Sequence, residues 1–503
     1  MWIHSFIGER SMFWRKYPLL IVAFTALVAS GCGRILSADP PAGPDELTAP
    51  PQPVVVEGIR TSYADVVEKT SPAVVRILSE GRPNQPSLEQ SPFGDEFFRQ
   101  FPNPRGQRPQ LQRGVGSGVV VSADGTILTN AHVIEGADRI TVLMADNKTF
   151  EAKLVGTDKP SDLAALKIES QNLPYLTLGN SDTVRVGDIV LAIGNPLGIG
   201  QSVTSGIISA KGRRTGLSDG SFEDFLQTDA PINRGNSGGA LVNLSGELIG
   251  INSQILSSPG SGGGNIGIGF SIPSNMAKSV MEQLLKDGRV RRGRLGIGIQ
   301  NLTEDTARAL ELESTSGVLV SNVEPGSAAD KAGLKRTDII TAINGEKTED
   351  SNVLRNKVAG TLPGTEIRLT ILRDGKPQEL TAVLDEFDAD GVGRGRAPEG
   401  DNSPRTQGDS GKLGLSLQPL TPDAARRLNI PEATEGLIVT EVDPGGVAGE
   451  AGIGRGDVIM EINRQPVKSV ENVQSALSSA GDKPILLLIS RGGQTVYLTV
   501  KLR

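Results

Sequence analysis

Asn233-Arg234-Gly235-Asn236-Ser237-Gly238-Gly239 is the stretch on which the reading of this chain turns. A serine hydroxyl is a weak nucleophile until a base takes its proton. Its attack on an amide builds charge on the carbonyl oxygen, which backbone N–H groups must receive. Glycines around Ser237 let the chain bend tightly and keep those N–H groups unobstructed. Alone, such a segment is more often a plain turn. A base tips the balance. The chain holds 2 histidines, His4 and His132, and His4 lies in an N-terminal stretch read as an export leader. His132, in Leu128-Thr129-Asn130-Ala131-His132-Val133, is then the sole imidazole of the mature protein, and imidazole suits proton shuttling near neutrality. The third requirement is a carboxylate that orients the ring. Asp162, in Ser161-Asp162-Leu163-Ala164-Ala165-Leu166-Lys167-Ile168, precedes an apolar strand and can be delivered from its mouth; Asp158 is its rival.

Around these residues the pattern is β. The 503 residues suggest about three domains. With 62 Gly, 31 Pro and only 4% aromatic residues, turns are frequent and cores rest on Val, Ile, Leu and Ala. Strands are expected at 118–122, 126–129, 140–144, 163–168, 189–193, 203–209, 248–251 and 266–272, with a turn at Asp124-Gly125. One helix is signalled, with Ser274 as cap, Met276, Val280, Leu284 and Leu285 on one face, and Gly288 at its end. Many short strands with glycine-rich turns point to barrels or sandwiches. Gly317-Val318-Leu319-Val320 to Ile343-Asn344 then recurs without a gap 119 positions later, as Gly436-Leu437-Ile438-Val439 to Ile462-Asn463. Two copies of one module follow the first domain.

The N-terminus reads as an address. Arg15 and Lys16 precede the apolar run from Leu19 to Ala29, too short for a comfortable span. Met12 offers an alternative start with a more compact basic head. Cys32, the only cysteine, follows Ala29-Ser30-Gly31 and resembles a bacterial lipobox, although Ala29 stands where a leucine is usual. Lipidation at Cys32 and plain leader cleavage with an incidental thiol both remain open. One cysteine excludes an intramolecular disulfide. With one mature histidine it also leaves no zinc set, and no metal or cofactor is expected. A net charge of −7 without a basic run argues against nucleic acid as a partner. The expected organisation is a leader over 1–31, a proline-rich tether over 32–58 and a first domain over 59–288 with an irregular insertion at about 80–113. The two modules follow at 289–386 and 412–503, across a flexible linker at 387–411.

With Thr129-Asn130-Ala131-His132-Val133, Ser161-Asp162-Leu163-Ala164 and Gly235-Asn236-Ser237-Gly238-Gly239-Ala240-Leu241 in hand, the chain resembles the HtrA/Deg serine proteases, in the chymotrypsin order His132, Asp162, Ser237. The resemblance covers nearly everything after the tether. It implies a mainly β fold, a chymotrypsin-like double β-barrel followed by two PDZ domains. In it Ser237 is nucleophile, His132 base then acid, and Asp162 orienter. The N–H groups of Gly235 and Ser237, with Asn236 between them, form the oxyanion hole. Ile232, Leu256 and Ile268 match the primary pocket, whose apolar lining favours small aliphatic side chains; a plain core role is the lesser alternative. Arg294-Leu295-Gly296-Ile297 and Lys412-Leu413-Gly414-Leu415 resemble the carboxylate loops of PDZ domains, with Leu295, Ile297, Leu413 and Leu415 bordering the pocket for a peptide's terminal side chain. The implied partners are unfolded or misfolded proteins and their C-terminal peptides, which deliver substrate and bias the loops around Ser237. A homotrimer is the implied assembly, with larger cages in some members, and the Phe93–Phe101 stretch resembles their regulatory loop. The implied activity is ATP-independent quality-control proteolysis in the periplasm or envelope, with membrane attachment through Cys32 if it is acylated. A binding-only chaperone or scaffold and an esterase are the rivals. An intact triad disfavours the first, and paired peptide-binding modules disfavour the second.

Overall fold

In a computed structural model the described residues are 62–81, 112–196, 200–215, 222–233, 235–255, 264–388, 413–428, 430, 434–479, 481 and 483–502. Cys32, the tether, the Phe93–Phe101 stretch, Leu256 and most of the inter-module linker lie outside them.

A short helix, α1 (Ala64–Thr70), leads into a first closed barrel. Its strands are β1 (Val74–Gly81), β2 (Gln112–Val120), β3 (Thr126–Thr129), β4 (Arg139–Leu143), β5 (Thr149–Asp158) and β6 (Leu163–Lys167), in the order β1-β2-β3-β6-β5-β4. The second barrel has β7 (Ile189–Gly194), β8 (Ser202–Arg213), β9 (Phe225–Thr228), β10 (Ala240–Asn243), β11 (Leu248–Ile255) and β12 (Gly269–Pro273), in the order β10-β11-β12-β9-β8-β7. Closure pairs every strand and leaves no edge to protect. Val75, Ile77, Val119, Ile127, Leu128, Leu163 and Leu166 are all at 0% exposure, so strands of the first barrel are buried on both faces. Small branched side chains suffice because the strands are short and the barrels narrow.

The helix α2 (Ser274–Asp287) packs Ala277, Val280 and Leu284 against the first barrel's core. Gly288 ends it in the left-handed conformation, its N–H donating to Leu284 O. Two details differ from the sequence reading. Pro273 occupies the cap position, and the Ser274 hydroxyl instead donates to Gly179 O at 2.7 Å, tying the helix to the barrel. Leu285 faces solvent, because the buried stripe runs through Ala277 rather than through it.

The repeat folds twice in one way. The first copy comprises β13 (Gly293–Arg294), β14 (Ile297–Asn301), α3 (Glu304–Ala309), β15 (Val318–Val323), α4 (Ala328–Lys331), β16 (Ile339–Ile343), β17 (Glu346–Lys347), α5 (Ser351–Gly360), β18 (Glu366–Arg373), β19 (Lys376–Val383) and β20 (Asp385–Glu386). The second comprises β21 (Leu415–Pro419), α6 (Pro422–Arg427), β22 (Leu437–Val442), α7 (Val447–Glu450), β23 (Val458–Ile462), β24 (Gln465–Pro466), α8 (Val470–Ser479), β25 (Ile485–Arg491) and β26 (Gln494–Val500). Their sheets run β14-β15-β16-β18-β19 and β21-β22-β23-β25-β26. Each copy also carries the same ion pair on a buried carboxylate. Arg373 donates to Asp338 at 2.7 and 2.6 Å, and Arg491 to Asp457 at 2.8 and 2.6 Å. These hydrogen bonds hold both guanidinium groups above their ordinary pKa.

The two copies meet through Leu302, Leu319 and Ile339 of the first and Leu486, Leu488 and Tyr497 of the second. Gln300 and Tyr497 close this contact reciprocally. The Gln300 amide donates to Tyr497 O at 3.0 Å and accepts from Tyr497 N–H at 2.8 Å. Burial there, with the Glu461 charge adding to it, pushes the Tyr497 phenol up to about 12.

Candidate active site

Asp162 ends a turn of three residues, Lys159–Ser161, that joins β5 to β6. It adopts φ 54° and ψ 41°, a left-handed conformation that Asp tolerates better than most residues. This bend aims its carboxylate at His132, which sits in a single 3₁₀ turn after β3. The His132 Nδ1 lies 2.9 and 2.8 Å from the two carboxylate oxygens, and its backbone N–H donates to Oδ1 at 3.1 Å. The two segments are also stitched by backbone. Ala131 N–H and the Asn130 side-chain amide donate to Asp162 O at 3.1 and 3.0 Å. Both side chains are about a quarter exposed, at 28% and 26%, so the pair lines a surface cleft rather than a core.

Asp158, the rival carboxylate, is committed elsewhere. Its oxygens take two hydrogen bonds from Arg292 and two from Ser161, and it is 5% exposed.

Ser237 is positioned by its backbone. Ser117 of β2 donates its N–H to Ser237 O at 2.8 Å and its hydroxyl to Gly235 O at 2.5 Å. From the other side Asn252 of β11, fully buried, accepts from Gly238 N–H at 2.7 Å. It also donates its own N–H to Gly239 O at 2.9 Å and its side-chain amide to Ala240 O at 2.9 Å. The loop therefore hangs between the barrels. Gly116 measures how close the two halves come. A Cβ built there would lie 2.6 Å from a methyl of Val133, next to His132, and 3.3 Å from Ser237 O. Among the described residues, the N–H groups of Gly235 and Ser237 have no acceptor. The Asn236 N–H is used internally, on Asn233 O at 3.0 Å.

Gly238 shows why glycine is required. Its φ is +81°, and a Cβ would meet Ser117 O at 2.2 Å and the Thr129 hydroxyl at 2.4 Å. Both partners are fixed, since Thr129 itself donates to Ser117 O at 2.7 Å. Gly238→Ala is expected to add about 1–2 kcal/mol of backbone strain and to push Ser117 off the nucleophile loop. A fall of at least about tenfold in the labelling rate of Ser237 by a serine-directed phosphonate should follow. An unchanged rate would show that the loop relaxes freely.

Sequence reasoning missed the supports. Ser253 of β11 donates its hydroxyl to Asp162 Oδ2 at 3.0 Å, a bond from the second barrel to the first. Ser117 and Asn252 are the others. Each is a common polar residue inside a strand pattern, with nothing local to mark it. Of the pocket residues, Ile232 is 1% exposed within the second barrel's core, and its side chain abuts Gly269, next to half-buried Ile268. Asp224, beside the same loops, is held above the usual carboxylate range by burial and then by the charges of Asp182 and Asp350.

In the modules, Gly296 and Gly414 share a φ of +73°, and both accept an N–H bond from the following loop, from Glu324 and Asp443. The N–H groups of Leu295, Gly296, Leu413 and Gly414 have no acceptor among the described residues. Leu295 and Leu413 are each 3% exposed and belong to the module cores, so they floor their loops from within. Ile297 is half-buried at the start of β14, and Leu415 is 5% exposed at the start of β21.

The chain resembles known proteins along most of its length. The family model described as a trypsin-like peptidase domain matches residues 116–251, and PDZ domain models match 293–384 and 438–491. A Chlamydia pneumoniae protein, "Probable periplasmic serine endoprotease DegP-like", is 41% identical over 466 residues, covering 90% of this chain and 92% of the relative. "Periplasmic pH-dependent serine endoprotease DegQ" of Escherichia coli is 40% identical over 444 residues, 88% and 91% of the two chains. Among solved structures, "HtrA-type protease AlgW with tripeptide" superposes with a TM-score of 0.54 at 41% identity, over 66% of this chain and 100% of that one. The same protease "with decapeptide" gives 0.51 at 43%, over 65% and 99%.

Proposed function

The chain belongs to the HtrA/Deg family of DegP- and DegQ-like periplasmic serine endoproteases, and from that premise we propose that Ser237, His132 and Asp162 hydrolyse its peptide bonds. The observation that carries the reading is the Asp162 carboxylate at 2.9 and 2.8 Å from His132 Nδ1, beside a serine loop pinned to the same barrel. With Nδ1–H donated to Asp162, His132 Nε2 is the basic nitrogen. It takes the Ser237 proton as Oγ attacks the carbonyl carbon, and the carbonyl electron pair moves onto oxygen. The Gly235 and Ser237 N–H groups receive that charge. Collapse expels the amine, which leaves with the proton from Nε2. Water then attacks the acyl-enzyme, giving one proton to Nε2, and Ser237 recovers it as the acid departs. One water is consumed per bond, and no step requires a nucleotide or a metal.

Ile232 and Ile268, with Leu256, shape an apolar primary pocket that prefers Val or Ala. The loops at Leu295-Gly296-Ile297 and Leu413-Gly414-Leu415 hold the terminal carboxylate of apolar peptides on their N–H groups, as a strand added beside β14 or β21. Unfolded envelope proteins expose such ends and such pockets' side chains, and are the substrate class. The protein acts in the periplasm or cell envelope, as a homotrimer, and acylation of Cys32 would anchor it. Incubation of the mature chain with an unfolded protein tests this reading. Fragment ends should cluster after small aliphatic residues, and an apolar C-terminal peptide should speed cleavage of a short reporter. Ends scattered without preference would remove the pocket assignment, and a peptide without effect would remove the coupling.

A further inference from the structure

The most buried ion pair of the first domain lies away from the catalytic cleft and joins it to the first PDZ module. Arg292 sits immediately before β13, at 9% side-chain exposure, and Asp158 closes β5 at 5%. The guanidinium donates to both carboxylate oxygens, at 2.6 and 2.5 Å. Its other face lies 4.7 Å from the centre of the Phe222 ring, and Phe387, just past β20, meets that ring edge-on at 5.4 Å. Phe387 N–H donates to Arg292 O at 2.8 Å, and Phe222 N–H to Pro160 O at 2.9 Å. The chain entering the module therefore grips Asp158 directly, and the chain leaving it braces Arg292 and Phe222, which bonds Pro160.

That segment is the start of the turn that delivers Asp162. Asp158 accepts from the Ser161 N–H at 3.2 Å and from the Ser161 hydroxyl, and Asp162 N–H donates to Lys159 O at 3.0 Å. Packing around the turn leaves space beside that hydrogen bond: Lys159–Asp162, Phe222–Phe225 and Met276 line a cavity of about 40 Å³. Stability gives no reason for the pair either, since apolar residues of similar volume usually replace a buried ion pair at no loss. What the pair supplies is a fixed direction, two parallel hydrogen bonds on a turn with room to move.

We propose that Arg292 is a positioning residue for proteolysis: through Asp158 it fixes the turn that brings Asp162 to His132, so the module junction sets basal activity with no peptide bound. The proposal rests on Asp162 as the triad carboxylate. It is distinct from peptide-driven activation, because it acts in the unliganded protein.

The test measures kcat and KM of the full mature chain on a short chromogenic peptide, without any PDZ ligand. Arg292→Met should lower kcat by about 10–100-fold with KM unchanged within about twofold, the response to a misplaced catalytic group. The double variant Asp158→Leu/Arg292→Met removes both charges and should melt no lower than wild type. Its kcat should stay at least about tenfold down, and Arg292→Lys, which keeps charge but not the fork, should fall between. A double variant with wild-type kcat would overturn the proposal, as would Arg292→Met with normal kcat per folded molecule. Full activity of Asp162→Asn would instead remove the triad reading beneath it.

Discussion

Ser237→Ala is expected to abolish hydrolysis while leaving the protein folded and able to bind peptide. The substitution deletes one oxygen and nothing that holds the loop. Ser237 is fixed through its backbone carbonyl on Ser117 N–H, and Gly238 through Asn252 O, neither of which involves the hydroxyl. A serine protease stripped of its nucleophile loses about 10⁶-fold in kcat, keeping only the roughly 10³–10⁴-fold advantage over water that oxyanion donors and binding sustain. The measurement is turnover of an unfolded protein by matched wild-type and variant preparations. Residual cleavage above about one part in 10⁵ of wild type, more than the oxyanion hole and binding sustain, would mean that another group attacks the carbonyl.

Asp162→Asn tests the orienting carboxylate with almost no change of shape. The Asn amide can donate where the carboxylate could only accept. His132 Nδ1 then becomes an acceptor and its proton resides on Nε2, the nitrogen that must be bare to take the Ser237 proton. A loss of about 10⁴-fold in kcat is expected at neutral pH. Structural cost should be small, since an Asn oxygen at the Oδ1 position can still receive the His132 N–H, at 3.1 Å in the wild type, while the Ser253 hydroxyl, which donates to the other oxygen at 3.0 Å, can rotate to accept from the Asn amide. A loss below about tenfold would indicate that Nδ1 is oriented by something other than Asp162.

The strands that sequence marked best are those with one continuous apolar face. Thr126–Thr129, Leu163–Lys167 and Ile189–Gly194 lie where alternation and turn residues put them. Thr149–Asp158 is unmarked in the sequence, because Glu151, Lys153 and Leu154 are exposed and only Ala152 and Asp158 are buried. Val74–Gly81 interleaves buried and half-buried positions around Arg76 and Ser79 and was likewise missed. The triad candidates were legible because one imidazole leaves little choice. Ser117, Asn252 and Ser253 were not, since their meaning lies in hydrogen bonds spanning 91 to 118 positions or in a buried clamp between neighbouring strands. Asp158 was noticed for the wrong reason: a carboxylate near the right place, whose partner stands 134 positions away at a domain junction.

The proposed joint action of Ser237, His132 and Asp162 can be read in one experiment, covalent labelling by a serine-directed phosphonate followed by peptide mass mapping. One adduct is expected, on the Ser237 peptide, formed in wild type and lost in a folded His132→Ala variant. An adduct on any other residue, or undiminished labelling of Ser237 without the imidazole, would show that the hydroxyl and the ring do not act together.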